Sequence, residues 1–215
     1  MDLMGQGLGL LQNHYSSHID AWNQETPFAD VTLTHAIGAL ALAYITDTPW
    51  LLPMALYTCY ELGEAVWEGW TRPGQTTVLL LNDGEMERLR RGTATLDQRG
   101  VAEQLKFFSY AGSNPDCSSQ GRCKEMVFLS MDNFANEEAH INWRPLSTDF
   151  EQIISRATEA LCESCRRRAQ KFALEQRRTL WKDLPEIFDV IVRGWGTQDA
   201  LGRSAGVVGC HIYTL

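Results

Sequence analysis

The chain has 215 residues, 44% of them hydrophobic and 10% aromatic, which is enough to bury one substantial core and too apolar for a disordered chain. Its net charge of −8 is unevenly placed: residues 1–71 carry eight Asp or Glu and no Lys or Arg, whereas residues 72–215 hold 19 of each sign. The acidic half repels phosphate, so any nucleic-acid surface is expected in the C-terminal half.

The opening MDLMGQGLGL has no basic stretch followed by an apolar run, so no signal peptide is expected. The longest apolar tract, Ala36 to Ile45, is about half the ~20 residues a membrane-spanning helix needs, and the next follows only after Asp47 and Pro49. Both tracts are expected as buried helices, and an intracellular location, cytoplasmic or nuclear, away from membranes follows as an expectation.

In chain order, Leu33, Ile37, Leu40 and Tyr44 recur at helical spacing and predict a helix from Asp30 to Thr46, with Asp30 as its N-cap. Trp50 to Leu62 is apolar on nearly every side and reads as a central helix, with Pro53 in its first turn, where a missing N–H costs little. Pro73-Gly74 marks a turn, and TTVLLL after it is read as carrying no strand. A short helix is expected from Asp83 to a stop at Gly92, and another from Thr93 to Tyr110.

Ala111 to Gln120, dense in Gly, Ser, Asn and Pro, reads as a loop, followed by helices at about Cys123 to Glu138 and Thr148 to Ala160. A long amphipathic helix is expected from Leu161 to Lys182, broken by Pro185, with Ile187 and Phe188 tucked back onto the core. The five glycines between Ile191 and Leu215 suggest a loosely ordered tail.

Six cysteines in a reducing compartment are more often metal ligands or buried thiols than disulfide partners. Cys162 and Cys165 form a C-x2-C pair, and Cys117 and Cys123 a C-x5-C pair. Two close pairs can supply the four thiolates of a tetrahedral site at about 2.3 Å from Zn²⁺, and Cys123 and Cys162 fall near helix N-termini, where free N–H groups favour thiolate. The spacing leaves two other readings open: ordinary thiols, because C-x5-C is not a usual zinc-knuckle spacing, and a redox C-x-x-C, which would want a preceding strand. Cys59 is expected as a core thiol and Cys210 as uninvolved, while His140 is a substitute ligand only if one cysteine is misassigned.

Arg166, Arg167, Arg168, Lys171, Arg177, Arg178 and Lys182 form a basic face that suits either solvent or an acidic or phosphate-bearing partner. Trp50, Trp67, Trp70, Trp143 and Trp181 are expected as core anchors. No nucleophile elbow, Walker loop, H-E-x-x-H or dinucleotide fingerprint occurs, which points away from catalysis.

Several blocks in order resemble the region downstream of the BTB/POZ domain in mushroom-type fungal BTB/POZ proteins: DTPWLLPMALYTC, MERLRRG, NPDCSSQGRCKE, and LCESC with RRTLWKDLPEIF after it, together spanning about residues 30–189. The resemblance implies that Cys117, Cys123, Cys162 and Cys165 occupy the family's recurrent cysteine positions. The stretch before the first block is too short for a BTB/POZ domain, so the dimerisation and cullin recruitment such a domain brings are not carried over, and the tail after Asp189 has no counterpart.

The combined expectation is an all-α, irregular helical bundle whose C-terminal half is stapled by structural zinc on Cys117, Cys123, Cys162 and Cys165. Its parts are residues 1–29 as a remnant or short helices, 30–110 as an acidic-to-neutral lobe, 111–189 as the cysteine lobe, and 190–215 as the tail. The expected role is a non-catalytic module that binds an unidentified protein. The alternatives are a nucleic-acid or phosphate binder using the basic face of helix 161–182, and a thiol oxidoreductase using Cys162 and Cys165.

Overall fold

A computed structural model describes residues 33–71, 76–136, 144–147 and 150–196, together with residues 11, 15, 16 and 19. The fold is all-α. Among the described residues, six α-helices run in chain order: α1 His35–Ile45, α2 Leu52–Leu62, α3 Asp83–Gly112, α4 Gln120–Asn136, α5 Phe150–Thr158 and α6 Glu163–Ile187. Short 3-10 turns, Pro49–Leu51 and Gly63–Glu68, flank α2.

The frame is the pair α3 and α6, the most extensive helix pairing among the described residues. Helix α3 is 30 residues long, about 45 Å at 1.5 Å per residue. A capping box fixes its start: Glu85 N–H donates to Asn82 Oδ1 at 2.9 Å, and Asn82 N–H donates to Glu85 Oε2 at 2.8 Å. Its buried stripe, Glu85, Leu89, Gly92, Leu96, Gly100, Glu103, Phe107 and Ala111, keeps a spacing of three or four throughout.

The expected stop at Gly92 does not occur. The helix runs through Gly92 because that glycine is a crossing point: a Cβ there would fall inside contact distance of the Phe188 ring. Glycine is tolerated in mid-helix, at a propensity cost of ~1 kcal/mol relative to Ala, where a neighbour needs the space.

Pro185 does not break α6 either. Proline removes the N–H that would bond to the Trp181 carbonyl one turn back. The Trp195 indole N–H donates to that carbonyl at 2.7 Å, and the two indoles stack at 5.2 Å between centroids. The helix ends instead at Ile187, with Asp189 just beyond its C-cap in the left-handed region at φ 52°. Val190 N–H donates to Pro185 O at 2.8 Å and Asp189 N–H to Glu186 O at 3.1 Å, the bond pair of a Schellman cap. Phe188 is fully buried, as expected. The start of the tail is thus anchored, through Val190 and Trp195, on the core, while residues 197–215, including Cys210, lie outside the described residues.

Two further expectations are corrected. Trp70–Thr71 and Val78–Leu79 form a two-stranded antiparallel ribbon with Trp70 opposite Leu79, because the Asn82 cap delays α3 and leaves the preceding apolar residues extended. In α1 the buried side is Ala36, Ile37, Ala39, Leu40 and Ala43. The predicted stripe members Leu33 and Tyr44 are 46% and 43% exposed, since the alanines let α1 lie close to α2. The helix begins at His35 after Thr34, and the expected N-cap Asp30 lies outside the described residues.

Among the described residues, two apolar clusters fill the interior. The first surrounds α2, which buries Leu52 through Tyr60 and starts with Pro53 in its first turn. It joins α1, the N-terminal half of α3 and the C-terminal end of α6 through Ile37, Leu40, Tyr57, Leu89, Trp181 and Phe188. The second joins the other ends of α3 and α6 to α4 and α5 through Phe107, Phe108, Val127, Phe150, Ile154 and Ala169. Cys123 and Cys165 are buried in this second cluster, and Cys117 and Cys162 pack at its edge. No described helix is long and apolar enough to cross a membrane.

Candidate metal centre

The loop that follows α3 carries Cys117. Asn114 Oδ1 accepts the Asp116 N–H at 3.1 Å and Asn114 O accepts the Cys117 N–H at 3.3 Å, a tight turn that swings Cys117 back towards α6. Cys123 lies in the first turn of α4, where its N–H donates to Ser119 O at 2.9 Å. Cys162 is the N-cap of α6, with extended backbone (φ −62°, ψ 158°), and Cys165 follows three residues on, inside the helix. A C-x2-C pair across a helix start places both sulfurs on the same side, towards the loop.

The four sulfurs lie within 4.8 Å of one another. The Cys117 and Cys162 sulfurs are 3.8 Å apart, which matches the edge of about 3.8 Å of a sulfur tetrahedron with bonds of about 2.3 Å. All four are free thiols rather than disulfides. Cys123 and Cys165 are 2% and 1% exposed, and Cys117 and Cys162 are half-buried. The residues named from sequence are therefore the ones the fold brings together, and they can hold a metal ion.

Backbone and side-chain donors surround the sulfurs. Cys162 N–H donates to Cys123 Sγ at 3.2 Å, Ser119 N–H to Cys117 Sγ at 3.4 Å, and Asn114 Nδ2 to Cys165 Sγ at 3.4 Å. The Cys165 N–H, then the Ser118 hydroxyl and N–H, bring Cys162 down to about 5, which favours its thiolate over those of its neighbours. Burial pushes Cys165 up to about 12 and raises Cys123, chiefly because an uncompensated thiolate is costly away from water. Metal-free, the cluster resists a second negative charge; a divalent cation would remove that resistance.

Asn114 was not singled out by sequence reading. It is 7% exposed, and its amide also donates to Ser164 Oγ at 3.0 Å, tying the loop to α6 beside Cys165. The Asn-Pro-Asp turn signal marks the position but not its contact across 50 residues of chain.

The remaining candidates separate. Cys59 is fully buried in the first cluster, far up the α2 helix, and burial raises it to about 12. His140 lies outside the described residues. On α6, Arg167 pairs with Glu163 at 3.2 Å, Lys171 with Glu175 at 3.9 Å, and Arg168 sits 3.9 Å over the Tyr110 ring. Arg177, counted on the basic face, is instead 5% exposed and bonded to Glu151 at 3.0 Å. Of the tryptophans, Trp181 is a core anchor at 1% exposure, Trp50 and Trp70 pack against the core from its edge, and Trp143 lies outside the described residues. Trp67 is 39% exposed under Arg90, and is no core residue.

No family model, curated protein or solved structure matches this chain.

Proposed function

We propose that Cys117, Cys123, Cys162 and Cys165 bind one structural Zn²⁺, and that the chain is a non-catalytic protein-interaction module whose C-terminal half is held in shape by that ion. The single observation that carries this reading is four free thiols within 4.8 Å of one another, drawn from two separate segments of chain. An all-sulfur donor set favours Zn²⁺ over oxygen-seeking Mg²⁺ or Ca²⁺, and four protein ligands leave no open position for a reacting water. The ion would join the 113–119 loop and the start of α4 to the start of α6, ordering a surface without performing chemistry on it. The sequence blocks resembling the post-BTB/POZ region of fungal proteins agree with an interaction role.

The test is elemental analysis of protein purified without added metal, paired with thiol titration before and after chelation. One zinc per chain is expected, with four thiols becoming reactive only once the ion is stripped. Metal-free protein whose four thiols react freely while folded would overturn the site.

A further inference from the structure

The four sulfurs are not equivalent. Cys123 and Cys165 are 2% and 1% exposed and lie inside α4 and α6. Cys117 and Cys162 are half-buried, and neither is inside a helix: one sits on the 113–119 loop, the other is an N-cap. Their sulfurs are 3.8 Å apart, so forming an S–S bond of about 2.0 Å needs an approach of less than ~2 Å by the two positions that lie outside the helices.

We infer that Cys117 and Cys162 form a specific oxidation site for hydroperoxides, closing to a disulfide that expels the metal. One of the two sulfurs, as thiolate, attacks the peroxide oxygen. The O–O bond breaks, ROH leaves after taking a proton, and the sulfur becomes a sulfenic acid. The second sulfur attacks it, the S–S bond forms, and hydroxide leaves as water. Two thiolates give up two electrons, and one hydroperoxide with two protons becomes one alcohol and one water; for hydrogen peroxide both products are water. Two sulfurs remain for the ion, which is too few to retain Zn²⁺. The disulfide bridges the same loop and helix that the ion would bridge, so the clasp survives in covalent form.

Metal loss rests on the proposed zinc site, whereas the Cys117–Cys162 pairing does not. The experiment treats the full chain, as purified, with hydrogen peroxide. Linked peptides are mapped without reduction, and released metal is followed with a chromogenic chelator. The expected result is a dominant Cys117–Cys162 linkage, one zinc released per linkage formed, and reversal by a thiol reductant with added Zn²⁺. A dominant Cys123–Cys165 linkage, or oxidation of Cys117 and Cys162 to sulfinic acids without linkage, would overturn the inference. Protein that carries no metal yet forms the Cys117–Cys162 linkage supports the oxidation site and removes the zinc site. Protein that keeps its zinc and shows no linkage does the reverse.

Discussion

At the scale of single residues, the sulfur environments would make metal binding a proton-coupled event. Burial penalises the thiolates of Cys123 and Cys165 and favours their protonated forms, whereas the donors around Cys162 draw it down and favour its thiolate. A ligand with a raised pKa makes the proton a competitor of the metal, so affinity falls as pH falls. Zinc uptake at pH 7 is therefore expected to release at least the two protons of Cys123 and Cys165, with apparent affinity rising steadily from pH 6 to pH 8. Calorimetry in buffers of different ionisation enthalpy measures the count. An affinity flat across that range would mean that the four thiols are not the ligands.

At the scale of elements, two local rules were overridden by tertiary contacts. Gly92 and Pro185 both look like helix ends in the sequence, and both sit inside long helices. The first is explained by Phe188 occupying the space a side chain would need, the second by Trp195 taking up the carbonyl that proline leaves behind. Neither partner can be read from nearby sequence, since Phe188 caps the end of a helix and lies almost a hundred positions away, and Trp195 belongs to what looked like a tail. The central helix α2 and the turn around Asn114 were legible because their signals are local: an all-apolar run with an early proline, and a Pro-containing cluster of small polar residues.

These contacts give opposed expectations that mutagenesis can separate. Gly92→Ala gains ~1 kcal/mol of helix propensity in isolation, but here overpacks Phe188 and is expected to destabilise by about 1–3 kcal/mol. Chemical denaturation decides, and a stabilised variant would show that the ring yields. Trp195→Phe keeps an aromatic ring over Trp181 but loses the donor to its carbonyl, with an expected cost of about 1 kcal/mol. An unchanged midpoint would mean that the bond is not what lets α6 pass Pro185.

At the scale of the whole molecule, the two apolar clusters have different dependence on the cysteines. The cluster around α2 contains none of the four clustered cysteines, while the cluster around Phe107, Phe108 and Val127 contains Cys123 and Cys165 and borders the other two. Chelation is therefore expected to raise amide exchange along 114–127 and 161–169 while leaving α2 protected. Uniform loss of protection would mean that the clusters unfold as one unit. The location of the four-cysteine cluster was legible from the spacing of its two pairs. Its closure was expected as well, but not the frame that brings it about: α3 and α6 lie side by side, and that pairing is set by a buried stripe that includes glycines, alanines and large apolar residues rather than by the cysteines.

The most direct measurement is X-ray absorption at the zinc edge on the purified chain. Four sulfur scatterers at about 2.3 Å are expected. A first shell of nitrogen or oxygen, or fewer than four sulfurs, would contradict the assignment of Cys117, Cys123, Cys162 and Cys165 as the complete ligand set.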